Sequence, residues 1–143
     1  MNAVDFITLA GRWAITPGAG AAQYRSAVSR AYYGAFHVAA QFLGSLSHDC
    51  PEYDGHDFVI KCLSNCGVSE AATVGGILRN LRMSRRDADY HLDKSQPETS
   101  ANAKLCAERA SQVQSGVAAC GDAAISAKIK KGVHEYRTNI LKR

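Results

Sequence analysis

Apolar residues recur along the chain every three or four positions and almost never alternate one for one, so the pattern predicts helices. The first runs from about Val4 to Ala14, with Phe6, Leu9, Ala10 and Trp13 to one side. Pro17-Gly18 breaks it. The second, from about Ala21 to Leu46, carries two adjacent stripes: Val28, Tyr32, Phe36, Ala39, Leu43 and Leu46, beside Tyr24, Ala31, Ala35, Val38 and Phe42. A helix apolar over so much of its surface belongs at the centre of a fold. Ser47 to Gly55 reads as a loop, and a short helix from His56 to Asn65 ends at Gly67. Ser69 is the expected N-cap of the next helix, whose core stripe is Val74, Leu78, Leu81, Ala88 and Leu92. Residues 93–97 end it, since Pro97 holds Gln96 extended. A further helix runs from about Glu98 to Ala119, along Cys106, Ala110, Val113 and Val117 towards Cys120. Gly121-Asp122 supplies a break and a new cap, and the last helix carries Ile125, Ile129, Val133, Tyr136 and Ile140. The expectation is an all-α bundle of five to six helices, one domain over residues 1–143, with a basic C-terminal helix at 122–143.

Composition agrees with a folded domain: 143 residues, 46% hydrophobic and 21% charged. A chain this long buries enough surface to fold without disulfides or metal. Seventeen basic residues against thirteen acidic ones give +4, which permits a nucleic-acid partner without requiring one. Five cysteines, an odd number with no CxxC, point to a reducing cytoplasm rather than a secreted scaffold. Cys62 and Cys66 with His56 nearby admit a metal site, against the plainer reading of small buried hydrophobes. The N-terminus lacks the basic and apolar blocks of a signal peptide, and no apolar run is long enough to span a membrane. No P-loop, GxGxxG, zinc motif or paired carboxylates occur, so no cofactor and no metal are expected.

Chemistry concentrates in residues 79–93, RNLRMSRRDADYHLD. Arg79, Arg82, Arg85 and Arg86 precede Asp87, Asp89, Tyr90 and His91. Arg85 lies on the core stripe, so its stem is expected to run along the core edge, where its head could satisfy a buried carboxylate or carbonyl; Asp89, four residues on, can pair with it. Arg86 is turned about 100° away and is freer to meet a ligand. On an unbroken helix His91 stands about 140° and about 7.5 Å from Arg86. The two converge only if the helix ends near His91 or a second subunit supplies its own pair. Arginine holds phosphate through paired N–H donors, and histidine moves protons near neutrality. That set suits metal-free RNA cleavage, in which the ribose 2′-hydroxyl attacks the neighbouring phosphate. A solvated arginine face with an incidental histidine is the plainer alternative.

Elsewhere, His37 reads as a packing histidine and His56 as a surface or capping one, while of the adjacent Tyr32 and Tyr33 one should be core. His134 sits in a basic tail and should be solvated. In residues 128–143, Lys128, Lys130, Lys131, Arg137, Lys142 and Arg143 stand against Glu135, a net of +5 that would extend an RNA surface or face an acidic partner.

SRAYYGAFHVAAQFL at 29–43, then His56, then LRMSRRDADYHLD at 81–93, resembles the HEPN superfamily, specifically its small members with an AYY-x-x-FH helix and a later R-x-x-ADY signature. The resemblance spans roughly residues 4–120. It implies a HEPN-like helical bundle that commonly forms a homodimer. It also implies a metal-independent ribonuclease, often the toxin partnered by an antitoxin or a nucleotidyltransferase. The family's catalytic signature is an Arg, four to six residues, then a His, with a polar residue after the Arg. Arg86, Asp87 and His91 match it with four residues between, and Arg85 with His91 matches it with five. Catalytic roles would thus fall to Arg86, His91, Arg85 and Asp87, and substrate contacts to Arg82, Arg79, Tyr90 and Tyr33. His91-Leu92-Asp93 departs from the His-x-Tyr ending of members modified on tyrosine. The rival expectation is a non-catalytic HEPN module that binds RNA, a nucleotide or a partner protein.

Overall fold

In a computed structural model of the protein, which describes residues 1–141, six α-helices and one 3₁₀ turn follow in order, with no strand among the described residues. They are α1 (Val4–Ile15), α2 (Ala21–Ser45), α3 (Gly55–Asn65), α4 (Ser69–Tyr90), the 3₁₀ turn Gln96–Glu98, α5 (Ser100–Cys120) and α6 (Ala123–Leu141). The all-α bundle expected from the pattern is the fold observed. Lys142 and Arg143 of the basic tail lie outside the described residues.

Helix α2 is central, packed against α1, α4 and α5, while α4 also meets α3 and α5. Its expected stripe forms the heart of the core: Val28, Ala31, Tyr32, Ala35, Phe36, Ala39 and Leu43 are buried together with Leu78 and Leu81 of α4 and Val113 of α5. Helix α1 is rotated from the expected orientation. Ile7, Ala10 and Ala14 face inward, and Phe6, Leu9 and Trp13 flank them half-buried. Wedged between α2 and α5, the helix places two alanines on its contact line, which lets the backbones approach closely.

Helix ends show where local chemistry decides. Asp122 caps α6 as expected, its carboxylate accepting from the amides of Ala124 and Ile125 at 3.1 Å. Ser69 does not cap α4. It is the first helical residue, preceded by an extended Val68. Helix α5 begins at Ser100 rather than Glu98, because the Thr99 hydroxyl accepts from the Asn102 amide at 3.1 Å and Gln96–Glu98 forms its own turn.

Helix α6 rests mainly on α3, with slight contact to α5. It lands on the corner after α3, where Gly67 takes the left-handed φ of +79° that a helix stop favours. Gly132 lies so close to the Cys66 carbonyl that any side-chain carbon would collide with it. Opposite, the buried His48 grips α6: its Nε2 meets the Lys130 carbonyl at 3.1 Å and Arg137 reaches its Nδ1 at 3.0 Å. A carbonyl only accepts, so Nε2 carries the hydrogen and Nδ1 receives the guanidinium. All five cysteines are free, and Cys62, Cys66, Cys106 and Cys120 are buried. Burial raises their thiols, Cys62 to about 11, which keeps them protonated and inert. Among the described residues no His, Cys, Asp and Glu side chains gather as a metal would need, and no helix is long and apolar enough to cross a membrane.

Candidate functional site at the end of helix α4

Helix α4 stops at Tyr90, and this break sets the geometry of every group after it. The last carbonyls of a helix have no partner within it. Here a single side chain from α2 takes two of them, together with carbonyls of the turn that follows. Arg25, almost wholly buried, donates from Nη1 to the carbonyls of Asp87, Ala88 and His91 at 3.2, 2.9 and 3.3 Å. Its Nη2 reaches the carbonyls of Leu92 and Lys94, and Nε and Nη2 both meet Glu98 at 3.1 Å. A cation at this pole also opposes the negative end of the helix dipole. The chain therefore leaves the helix one residue beyond Tyr90 and turns back round the guanidinium.

The expected core position of Leu92 is corrected by this turn. Leu92 is 74% exposed, because the helix that would have carried it inward has already ended. His91 becomes the C-cap, its backbone amide bonded to the Asp87 carbonyl at 3.1 Å. Its imidazole is exposed, with Nε2 4.0 Å from Oδ1 of Asp87, and the same carboxylate oxygen accepts from Lys94 at 3.0 Å. The exposed His91 and Lys94 thus share the half-buried carboxylate of Asp87. Arg86, the residue before Asp87 in the chain, is exposed and forms no ion pair or side-chain hydrogen bond among the described residues. Arg79 is exposed further back on the helix.

The other two arginines turn inward. Arg85 is buried, with its Nη1 3.9 Å from Asp89, and its guanidinium lies 5.3, 5.6 and 5.7 Å from the ring centres of Tyr32, Tyr33 and Tyr90. Both the core-edge stem and the Asp89 partner expected from the stripe are present. Arg82 crosses to α3 and pairs with Asp57, which holds that carboxyl below the usual carboxylate range. The site residues expected to act together are therefore divided. Arg86, Asp87 and His91 share the exposed end, whereas Arg82, Arg85, Tyr33 and one side of Tyr90 belong to an inner cluster.

His56 is the residue the sequence placed wrongly. It neither caps α3 nor stands free on the surface. Its ring sits against Phe36, Tyr32 and Tyr33, with the Tyr32 hydroxyl on Nδ1. Burial, and then the charges of Arg82 and Arg85, hold its pKa below the ordinary imidazole value. Burial pushes Tyr32 up to about 12, so its hydroxyl keeps its proton and donates it. His37 is exposed, with its ring near Phe36 and Phe6, and His134 is exposed as expected. Tyr32 is the core member of its pair.

Arg25 and Glu98 were missed altogether. The signal for Arg25 was present: it lies three, seven and eleven residues before Val28, Tyr32 and Phe36, on the buried stripe of α2. A cation on an apolar stripe needs buried acceptors, and the same rule located Arg85. Nothing local announced the Tyr32–His56 contact, which joins residues 24 apart.

Set against known proteins, the chain matches no family model, no curated protein and no solved structure.

Proposed function

We propose that the chain is a metal-independent endoribonuclease acting on single-stranded RNA, with His91, Arg86 and Asp87 as its reacting set. The observation that carries this reading is the end of α4 at Tyr90. It leaves an exposed histidine within 4.0 Å of the carboxylate of Asp87, the residue that follows the exposed Arg86 in the chain. The resemblance to HEPN ribonucleases in AYY-x-x-FH and R-x-x-ADY supports the same chemistry. His91 takes the proton of the ribose 2′-hydroxyl as the oxygen attacks the adjacent phosphorus. The 5′-oxygen leaves with a proton taken from water, His91 returns its own proton to solvent, and the products are a 2′,3′-cyclic phosphate and a 5′-hydroxyl. Arg86 holds the non-bridging oxygens as charge builds on them. Asp87, 4.0 Å away, orients the imidazole. Of the two arginines that fit the motif, Arg86 is preferred, because Arg85 is buried under tyrosines. Arg79 lies on the same exposed side of α4, and the basic α6 would add non-specific attraction to RNA.

Met83, 62% exposed, and Tyr90, 71% exposed, accompany Arg79 and Arg86 on the outer face of α4. Two such faces meeting about a two-fold axis would form a homodimer with both His91 groups near one cleft. On this reading the protein is a cytoplasmic toxin restrained by an antitoxin or a nucleotidyltransferase. The test is cleavage of labelled single-stranded RNA by purified protein in excess EDTA. Wild type should cut, and His91→Ala should lose about 10²–10⁴-fold in rate with its fold intact. Activity that vanishes in EDTA, or persists in His91→Ala, rules the mechanism out. Binding without cleavage across varied RNAs would favour the non-catalytic module.

A further inference from the structure

Arg85 is a largely buried cation whose Nε–H has no partner among the described residues. Its side chain is 8% exposed, its Nε is fully buried, and its terminal nitrogens, which keep some contact with the surface, make no hydrogen bond to the described residues. The Asp89 oxygen at 3.9 Å is beyond hydrogen-bond reach and already accepts from the Ser29 hydroxyl at 3.2 Å. Three tyrosine rings attract the charge through their faces, but they do not accept its in-plane N–H groups. A buried N–H left in this state is costly unless something supplies an acceptor. Arg82, one turn earlier, repeats the pattern: Nη1 pairs with Asp57 while Nε is buried and unpartnered. The third donor is His56. With Nδ1 accepting from Tyr32, the neutral ring carries its hydrogen on Nε2, which has no partner among the described residues.

We propose that Arg82, Arg85 and His56 form a phosphate-binding site on the α2–α3–α4 face, walled by Tyr33 and Tyr90. Its ligand is a small phosphate monoester whose apolar part lies against the tyrosine rings. Paired N–H donors of guanidinium groups match the oxygens of phosphate, and an imidazole N–H completes the set. Tyr90 is the last residue of α4 and largely exposed, so turning its ring opens Arg85 to solvent. The site couples to protons. The groups facing His56 are Tyr32, Tyr33 and His37 from α2, Asp57 from α3, and Arg82 and Arg85 from α4. With His56 neutral, the two arginines are balanced by Asp57 and Asp89. A bound phosphate adds negative charge, opposes the depression of His56 by the arginines and draws a proton onto its ring.

This site does not depend on ribonuclease chemistry, and its test uses no RNA, so either reading can fail alone. Calorimetric titration of the full chain near pH 7 with inorganic phosphate and with phenyl phosphate, in buffers of different ionisation enthalpy, reads both affinity and proton uptake. Wild type should bind phenyl phosphate more tightly than inorganic phosphate and take up a proton on binding. Arg82→Ala, His56→Gln and Arg85→Lys should each weaken binding about 10- to 100-fold, and His56→Gln should abolish the uptake. Arg12→Ala, an exposed cation on α1, should bind like wild type. Circular dichroism on each variant checks that the bundle is intact. Arg82 and His56 are partly exposed, so their variants keep the test open if Arg85→Lys fails to fold. Absence of binding by wild type, or equal binding by Arg82→Ala and His56→Gln, overturns the site. Equal affinity for the two anions overturns the role of the tyrosine walls.

Discussion

Arg85 and Arg86 are neighbours in the chain, yet one lies beneath Tyr32, Tyr33 and Tyr90 while the other faces solvent with no partner among the described residues. One helical step of about 100° separates the two environments. On the inner side, charges are held by rings, by Asp57 and Asp89, and by the surrounding helices, and removing one disturbs packing. On the outer side, Arg86, Asp87 and His91 hang from a helix end whose position is fixed by Arg25. Removing one of these side chains leaves the scaffold as it was. A helix can thus carry buried and exposed arginines side by side, and stability measurements separate them where sequence position does not.

The largest effect should come from the residue that supports the outer end. Arg25→Ala leaves Glu98 and a cluster of carbonyls without their buried cation and should cost about 3–5 kcal/mol in urea unfolding. Arg25→Lys should recover little, since an ammonium cannot span the same carbonyls as the planar fork. A loss below about 1 kcal/mol would show that solvent replaces Arg25 and that the turn has another support. Next, Arg85→Ala should cost about 1–3 kcal/mol, through lost stem packing and the partner removed from Asp89. Arg86→Ala should change stability by less than about 0.5 kcal/mol while slowing RNA cleavage. If the two variants prove equally stable, the inner and outer faces of α4 are not different in kind.

A smaller effect follows from pH. His56 has a folded pKa below its unfolded value, so the unfolded chain takes up the proton first. Above about pH 6.5 the ring is neutral in both states and nothing is lost. As pH falls through the unfolded value towards the folded one, stability should decline, and His56→Gln should flatten that decline. Asp57 is also held below its ordinary value, by Arg82, but its contribution disappears only in more acid solution, as pH falls through its folded pKa. Urea midpoints measured from about pH 8 to about pH 5 isolate the histidine. An unchanged slope in His56→Gln would sink the assignment.

Much of the fold was legible because the α2 stripe and the breaks at Pro17-Gly18, Gly67 and Gly121-Asp122 are local signals. The burial of Arg85 and its pairing with Asp89 followed from spacing alone. Leu92 shows the limit. Its position continues the 3.6-residue period, and only Arg25, more than sixty residues earlier, ends the helix before reaching it. His56 shows the same limit in the site. Its depressed pKa comes from burial first and then from Arg82 and Arg85 on α4, its tautomer comes from Tyr32 on α2, and no motif around residue 56 encodes them. Tertiary contacts between distant segments decided what period and propensity left open.

Arg25 also bears on how this part of the chain can change length. Surface loops ordinarily tolerate inserted or deleted residues, because lengthening a flexible connection adds little to its closure entropy. The segment from His91 to Ser95 is exposed, and by that rule it would be a natural place for variation. Its carbonyls, however, converge on one guanidinium much as oxygens gather round a bound ion, and each has a set place in the count. One added residue would shift the carbonyls of Leu92 and Lys94 out of register with Arg25, and with them the start of the Gln96–Glu98 turn. The stretch is exposed like a loop and fixed in length like a core element.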